Sequence, residues 1–170
     1  MRALLCAALV AAGACGPKAR TAVLQTSLGT IKIKLLDQTP ATTANFVALA
    51  SKKFYDGNIF HRVIPELLVQ TGDPTGTSQG GSGATIPDEL GGKFDRPGLV
   101  GMARWGPNTA SSQFFITLAP MPDLTGQNAL FGEVVEGLEV ARAIAKVPRD
   151  QTDGKDRPLK PPVLKSVVVR

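Results

Sequence analysis

The sequence predicts a mainly β domain, a closed eight-stranded antiparallel β-barrel capped by two α-helices. Three observations point there. Eighteen glycines and 13 prolines in 170 residues favour many turns and short strands over a helix bundle. Short β-rich runs recur between turn signals, about eight of them, while helical periodicity appears only twice, once near each end. No strand–helix–strand rhythm is visible, so the strands are expected to pair with antiparallel neighbours in one closed sheet.

Residues 1–20, MRALLCAALVAAGACGPKAR, stand apart from that domain. Arg2 gives a short positive region, and Ala3 to Ala12 form an apolar run too short to span a bilayer. Ala12-Gly13-Ala14-Cys15 resembles a bacterial lipobox, in which cleavage before the cysteine leaves it to be diacylated. The division expected is therefore a lipoprotein-type signal peptide over 1–14, an anchor and linker over 15–20, and the folded domain over 21–170. An ordinary signal peptide cut near Ala14, leaving a free thiol, is the competing reading. Either one exports the protein. The first tethers it through Cys15 to a membrane on the periplasmic side of the cell envelope.

Within the domain, Ala22–Ser27 and Thr30–Leu36 read as strands around a tight turn at Leu28-Gly29. Lys32 and Lys34 alternate with Ile31, Ile33 and Leu35, which gives one wet face and one buried face. Thr39-Pro40 opens a helix, with Thr as N-cap and Pro in the first turn, and Phe46, Val47, Leu49 and Ala50 supply its apolar stripe. Gly72–Gly92 is a long Gly/Ser/Thr/Pro loop, of a kind that is usually functional or disordered. Leu99–Ala103, Phe114–Leu118, Ala129–Val135 and Val163–Val169 are further strands. Glu136–Lys146 is the second helix, and Val147–Pro162 is a polar loop.

Several chemistries are excluded. The net charge of +5 is spread along the chain, as on a solvated surface, and is not gathered on one face as in a nucleic-acid binder. Both cysteines, Cys6 and Cys15, precede the domain and there is a single histidine, so no zinc site and no disulfide are expected. The glycine-rich loop lacks the Gly-Lys-Ser/Thr of a phosphate-binding loop. Gly80-Gly81-Ser82-Gly83-Ala84 misses the last glycine of a nucleophile elbow. His61, between Phe60 and Arg62 in a strand-like run, reads as a satisfied core residue and not as a base.

What remains is an arginine, several amides and clustered apolar side chains. That set suits a reaction with no proton transfer and no covalent step, such as rotation about an X–Pro bond over its barrier of about 20 kcal/mol. The residues also carry a resemblance. Phe60-His61-Arg62-Val63-Ile64-Pro65 with Gln70, Gly72 and Asp73 resembles the signature of the cyclophilin-type peptidyl-prolyl isomerases. Met102-Ala103, Gly106-Pro107-Asn108-Thr109, Ser112-Gln113-Phe114-Phe115-Ile116 and Phe131-Gly132 follow in that family's order. The resemblance covers residues 21–169 and implies the same capped barrel. It also implies a proline-containing polypeptide as substrate, no cofactor, and action as a monomer.

Position by position, the resemblance makes Arg62 the catalytic arginine and Gln70 the glutamine that orients it. Gln113 contacts the substrate backbone, Phe115 floors the proline pocket, and Leu124 is another pocket residue. Ala103 and Arg104 pair with the extended peptide by strand addition. Four positions depart. Leu67-Leu68 replaces Phe-Met, although the pleat by itself would point the two leucines to opposite faces. Asp123 stands at a position often held by tryptophan, and Asn128 at one often held by histidine or tyrosine. The changes at Leu67, Leu68 and Asn128 motivate a rival reading, a cyclophilin-fold chaperone or peptide-binding module with little turnover. Trp105, in place of a small residue, either extends the groove or packs beside it.

Overall fold

The computed structural model describes residues 20–152 and 154–170. The expected signal segment and Cys15 lie outside these residues. Thr21–Thr26 (β1) and Gly29–Leu35 (β2) form the first hairpin. Its turn is Ser27-Leu28, one residue earlier than expected, because Thr26 fastens it there. The Thr26 Oγ1 donates to the Gly29 carbonyl at 2.7 Å and accepts from the Leu28 N–H at 3.1 Å. On β2 the alternation holds, with Ile31, Ile33 and Leu35 buried and Lys34 exposed.

Helix α1 spans Pro40–Ser51. Thr39 sits at its N-cap, but its hydroxyl donates to the Leu130 carbonyl at 3.1 Å. The helix is capped from a distance instead. The Glu89 carboxylate accepts from the Ala41 and Thr42 N–H groups at 3.0 and 2.7 Å, meeting the positive end of the helix with a negative charge.

The chain continues through Asn58–Ile59 (β3), Arg62–Ile64 (β4), Leu68–Thr71 (β5), Leu99–Met102 (β6), Phe114–Thr117 (β7) and Leu130–Glu136 (β8). Helix α2 then runs Leu138–Ala145. It starts two residues later than expected, because β8 runs through Glu136 and Gly137 makes the corner at φ 86°. A Cβ there would lie 2.2 Å from the Thr30 carbonyl oxygen, so the corner admits only glycine. Arg149–Asp150 (β9) and Arg157–Pro158 (β10) form a small ribbon in the segment expected to be loop, braced by an Arg149–Asp156 ion pair at 3.1 Å. Val163–Val169 (β11) closes the chain.

The main sheet has nine strands in the order β3-β11-β1-β2-β8-β6-β7-β5-β4, all antiparallel. This corrects the expected closed, eight-stranded barrel. The sheet curls until its two edge strands, β3 and β4, are only Phe60 and His61 apart in sequence, yet they do not pair. Only two residues separate them in the chain, and each is paired on another side, β3 with β11 and β4 with β5. A side chain reaches across the gap from the strand beside the β4 edge: Thr71 Oγ1 on β5 donates to the Ile59 carbonyl on β3 at 2.9 Å.

Two apolar clusters fill the molecule. The larger is built on Phe46, Tyr55, Phe114 and Phe131, whose rings lie 5.1–6.3 Å apart and pin α1 to β7 and β8. The smaller holds Phe94, Leu99, Phe115 and Leu130, with Ala103, Met121 and Leu124 packed against it. Phe114 and Phe115 therefore serve different clusters, as adjacent residues on a pleated strand must.

Candidate active site

The strand register builds the site. Arg62 on β4 pairs with Gln70 on β5, Gln70 with Phe115 on β7, and Phe115 with Gly101 on β6. Residues directly across a sheet share a face, so the four stand in one row. A groove of about 440 Å³ opens over this row. Gly101 ends the row because nothing larger fits there: a Cβ would lie 2.3 Å from the Phe115 ring and 2.8 Å from the Phe94 ring. The missing side chain lets the Phe115 ring lie across the strand.

Arg62, Leu68, Gln70, Ala103, Arg104, Gln113, Phe115, Leu124 and Asn128, which the sequence singled out, all line this groove. Leu67 does not, because it lies outside the strand that faces the groove. Leu68 starts β5 on the groove face, two residues from Gln70, whereas Leu67 sits in the β4–β5 turn. That turn is set by Glu66 at φ 60°, with the Leu67 N–H donating to the Ile64 carbonyl at 3.1 Å. Asp123 is exposed on a short 3₁₀ turn, Pro122–Leu124, and only its neighbour Leu124 reaches the groove.

The amides are held tightly. Gln70 Nε2 donates to Gln113 Oε1 at 2.8 Å, and Gln113 Nε2 donates to the carbonyls of Ser78 and Gly80 at 3.1 and 2.8 Å. Gln70 therefore orients Gln113, and no hydrogen bond joins it to its cross-strand neighbour Arg62. None of the ion pairs among the described residues includes Arg62. Its guanidinium donors stay available over an apolar floor. The Ala103 N–H donates to the Gln113 carbonyl at 2.8 Å, so a peptide strand must use other groups of that segment. Arg104 is not a free cation: its side chain is 13% exposed, pairs with Asp88 at 2.8 Å and also holds the Gln127 carbonyl. Asn128 Nδ2 donates to the Met102 carbonyl at 2.9 Å, which ties this groove residue to the end of β6.

The glycine-rich segment after β5 supplies the facing wall, from Gln79 to Thr85, which the sequence flagged only as a long loop. The buried Asp73 organises it. Its carboxylate accepts from the Thr75 N–H (2.8 Å), the Thr75 hydroxyl (2.7 Å) and the Gly80 N–H (3.1 Å). Burial pushes this carboxyl upward, but those hydrogen bonds outweigh it and hold it below its ordinary range.

His61 is fully buried behind the row, as expected of a core residue, but it is not satisfied: neither ring nitrogen has a hydrogen-bond partner. Gln113 lies beside the ring, yet its amide hydrogens go to Ser78 and Gly80. Burial pushes the imidazole down to about 4, against the opposing pull of the Asp73 charge, so the ring is neutral near pH 7. Among the described residues no group of His, Cys, Asp and Glu side chains is arranged to hold a metal. The groove offers one unpaired guanidinium, two linked amides and an apolar floor, which is equipment for polarising a neutral amide.

Comparisons with known proteins agree with this geometry. The family model described as cyclophilin type peptidyl-prolyl cis-trans isomerase/CLD matches residues 21–169. The peptidyl-prolyl cis-trans isomerase ppi1 of Schizosaccharomyces pombe is 47% identical over 153 residues, covering 86% of this chain and 97% of its own. The peptidyl-prolyl cis-trans isomerase A of Mycobacterium tuberculosis is 42% identical over 167 residues, covering 88% and 91%. A crystal structure of a cyclophilin type peptidyl-prolyl cis-trans isomerase from Cryptosporidium parvum superposes with a TM-score of 0.84 at 34% identity, covering 90% of this chain and 98% of that one. A second crystal of that protein, obtained in the presence of the dipeptide Ala-Pro, gives 0.83 at 34% identity, covering 88% and 98%. With the fold, the groove row and these relatives in agreement, the chain belongs to the cyclophilin family and is a peptidyl-prolyl cis-trans isomerase.

Proposed function

We propose that Arg62 is the catalytic group and that the substrate is an extended, proline-containing segment of a folding polypeptide. The observation that carries this reading is the cross-strand row, which sets an unpaired guanidinium beside the apolar floor formed by Phe115. The proline ring rests on Phe115, Leu68 and Leu124, and Gln113 fixes the flanking backbone. That the related Cryptosporidium protein was crystallised with Ala-Pro supports a prolyl dipeptide unit as the recognised element.

The chemistry follows from amide resonance. The planar amide is charge-separated, and twisting it localises a lone pair on the prolyl nitrogen. An apolar floor disfavours the planar form, and a guanidinium aimed at the nitrogen favours the twisted one, so both act on the transition state more than on the bound substrate. The direct test is the exchange rate of an X-Pro peptide measured by NMR with wild type and Arg62→Ala. A loss of about two to three orders of magnitude is expected for one such donor. Equal rates would remove Arg62 from the mechanism. Tight proline-peptide binding without measurable exchange would favour the low-turnover binding module.

We also infer that the protein works as a monomer in the cell envelope, tethered on the periplasmic side through a diacylated Cys15. The apolar run and the Ala12–Cys15 pattern support this. No helix among the described residues is long and apolar enough to cross a membrane. Mass spectrometry of the native protein should find a diacylglyceryl group on an N-terminal Cys15, and a mature chain beginning elsewhere would rule the anchor out.

A further inference from the structure

One feature of the groove has no part in holding or twisting the prolyl bond. Trp105, the only tryptophan of the chain, lines the groove yet leaves 75% of its surface in water. The backbone beneath it is fastened on both sides. Thr109 Oγ1 accepts from the Trp105 and Gly106 N–H groups, both at 2.9 Å, and donates to the Gly106 carbonyl at 2.8 Å. Asp88 pairs with Arg104 and accepts from the Asn108 N–H at 3.0 Å, while the Asp88 N–H donates to Asn108 Oδ1 at 2.9 Å. The indole is thus presented on a braced loop. The groove near the glycine-rich wall is lined by small residues, Gly80, Gly81, Gly83, Ala84 and Ser111, whose side chains leave that space unfilled.

The charges decide what belongs there. No carboxylate lines the groove, Arg104 is neutralised by Asp88, and Arg62 is a bare cation, so the groove's charges oppose a positively charged substrate side chain and set repulsion against the attraction of a cation for the indole face. What is left is a flat apolar face of large area.

We propose that Trp105 is a specificity-determining residue whose indole stacks on an aromatic side chain near the proline of the bound polypeptide. This rests on the reading that the polypeptide lies in this groove. The test uses the full chain and short peptides in which alanine, lysine or phenylalanine occupies each of the two positions on either side of a single proline. Exchange by NMR gives kcat/KM, and tryptophan emission reports Trp105 alone. At one of these positions phenylalanine should raise kcat/KM over alanine by about three- to tenfold, the range one aromatic pair supplies, with no gain from lysine. Binding of that peptide should shift the emission to the blue. Trp105→Ala should bring the phenylalanine-to-alanine ratio to about one, while Trp105→Phe, which keeps a ring, should retain most of it. An unchanged ratio in Trp105→Ala, a preference for lysine, or unshifted emission at saturating peptide would overturn the proposal and leave the isomerase site standing. No exchange on any peptide, with a native thermal transition, would overturn the groove reading and this proposal with it.

Discussion

Gln70 and Gln113 are joined by a single hydrogen bond of 2.8 Å between their side-chain amides. Through it β5 fixes which way Gln113 faces, and Gln113 in turn fastens the glycine-rich wall through the Ser78 and Gly80 carbonyls. The two walls of the groove are therefore linked by one amide. Both residues are buried, so Gln70→Ala would strand Gln113 Oε1 without a donor, at about 1–3 kcal/mol. For a domain of this size that is a fall in Tm of about 2–12 °C. Calorimetry should show it, together with a rise in KM as the wall loosens. An unchanged Tm and KM would mean that the amide link holds nothing.

Gly101 tests the row from its other end. Its backbone does not require glycine, since its φ is not among the positive values, so only space matters. A methyl group there meets the rings of Phe115 and Phe94. Gly101→Ala should cost about 1–3 kcal/mol by overpacking and should raise KM by displacing the pocket floor. Adding Phe115→Leu should restore part of the stability, measured by urea unfolding, without restoring turnover. A double variant as unstable as the single one would show that the clash lies elsewhere.

The pH dependence of stability should carry the mark of His61. Its folded value of about 4 lies below the ordinary 6.5, so between these values the unfolded chain binds a proton that the folded chain refuses. Stability then rises with pH across that window. The contribution is fully present above pH 6.5 and is lost as pH falls toward 4, by at most about 3 kcal/mol. Urea midpoints at pH 4.5 and 7 should differ for wild type and converge in His61→Phe, which keeps a buried ring with no charge to refuse. An equal pH slope in both proteins would show that His61 does not report its burial.

The limits of sequence reading show in particular residues. Arg62, Gln70 and Phe115 could be found because they stand in short, ordered motifs. Their alignment in one row could not, because it depends on the register of four strands. Thr39 looked like the cap of α1, but the cap is Glu89, which reaches Ala41 and Thr42 from 48 and 47 residues away. A local signal carries no trace of such a contact. Leu67 and Leu68 differ because only Leu68 belongs to β5, a strand boundary that the apolar run does not mark. The edge strand Asn58–Ile59 is too short to show alternation, so the open edges of the sheet were hidden.

Arg62→Lys distinguishes charge from shape. Lysine keeps the positive charge but loses the planar fork that can aim two donors at one amide. If the guanidinium acts by directed hydrogen bonding to the prolyl nitrogen, lysine should recover little of the activity lost in Arg62→Ala, roughly tenfold of a hundred- to thousandfold loss. If only the field of a cation matters, lysine should restore nearly all of it. The pH profile supplies an internal control. His61 titrates near 4 and no carboxylate lines the groove, so kcat/KM for wild type should be level from about pH 5.5 to 9. A bell-shaped profile in that range would reveal a proton transfer, for which no carboxylate or histidine lines the groove, and would overturn a mechanism in which a charged guanidinium donates hydrogen bonds to the twisting amide and transfers no proton. A level profile with lysine recovering no more than about tenfold is the outcome that the unpaired guanidinium over Phe115 requires.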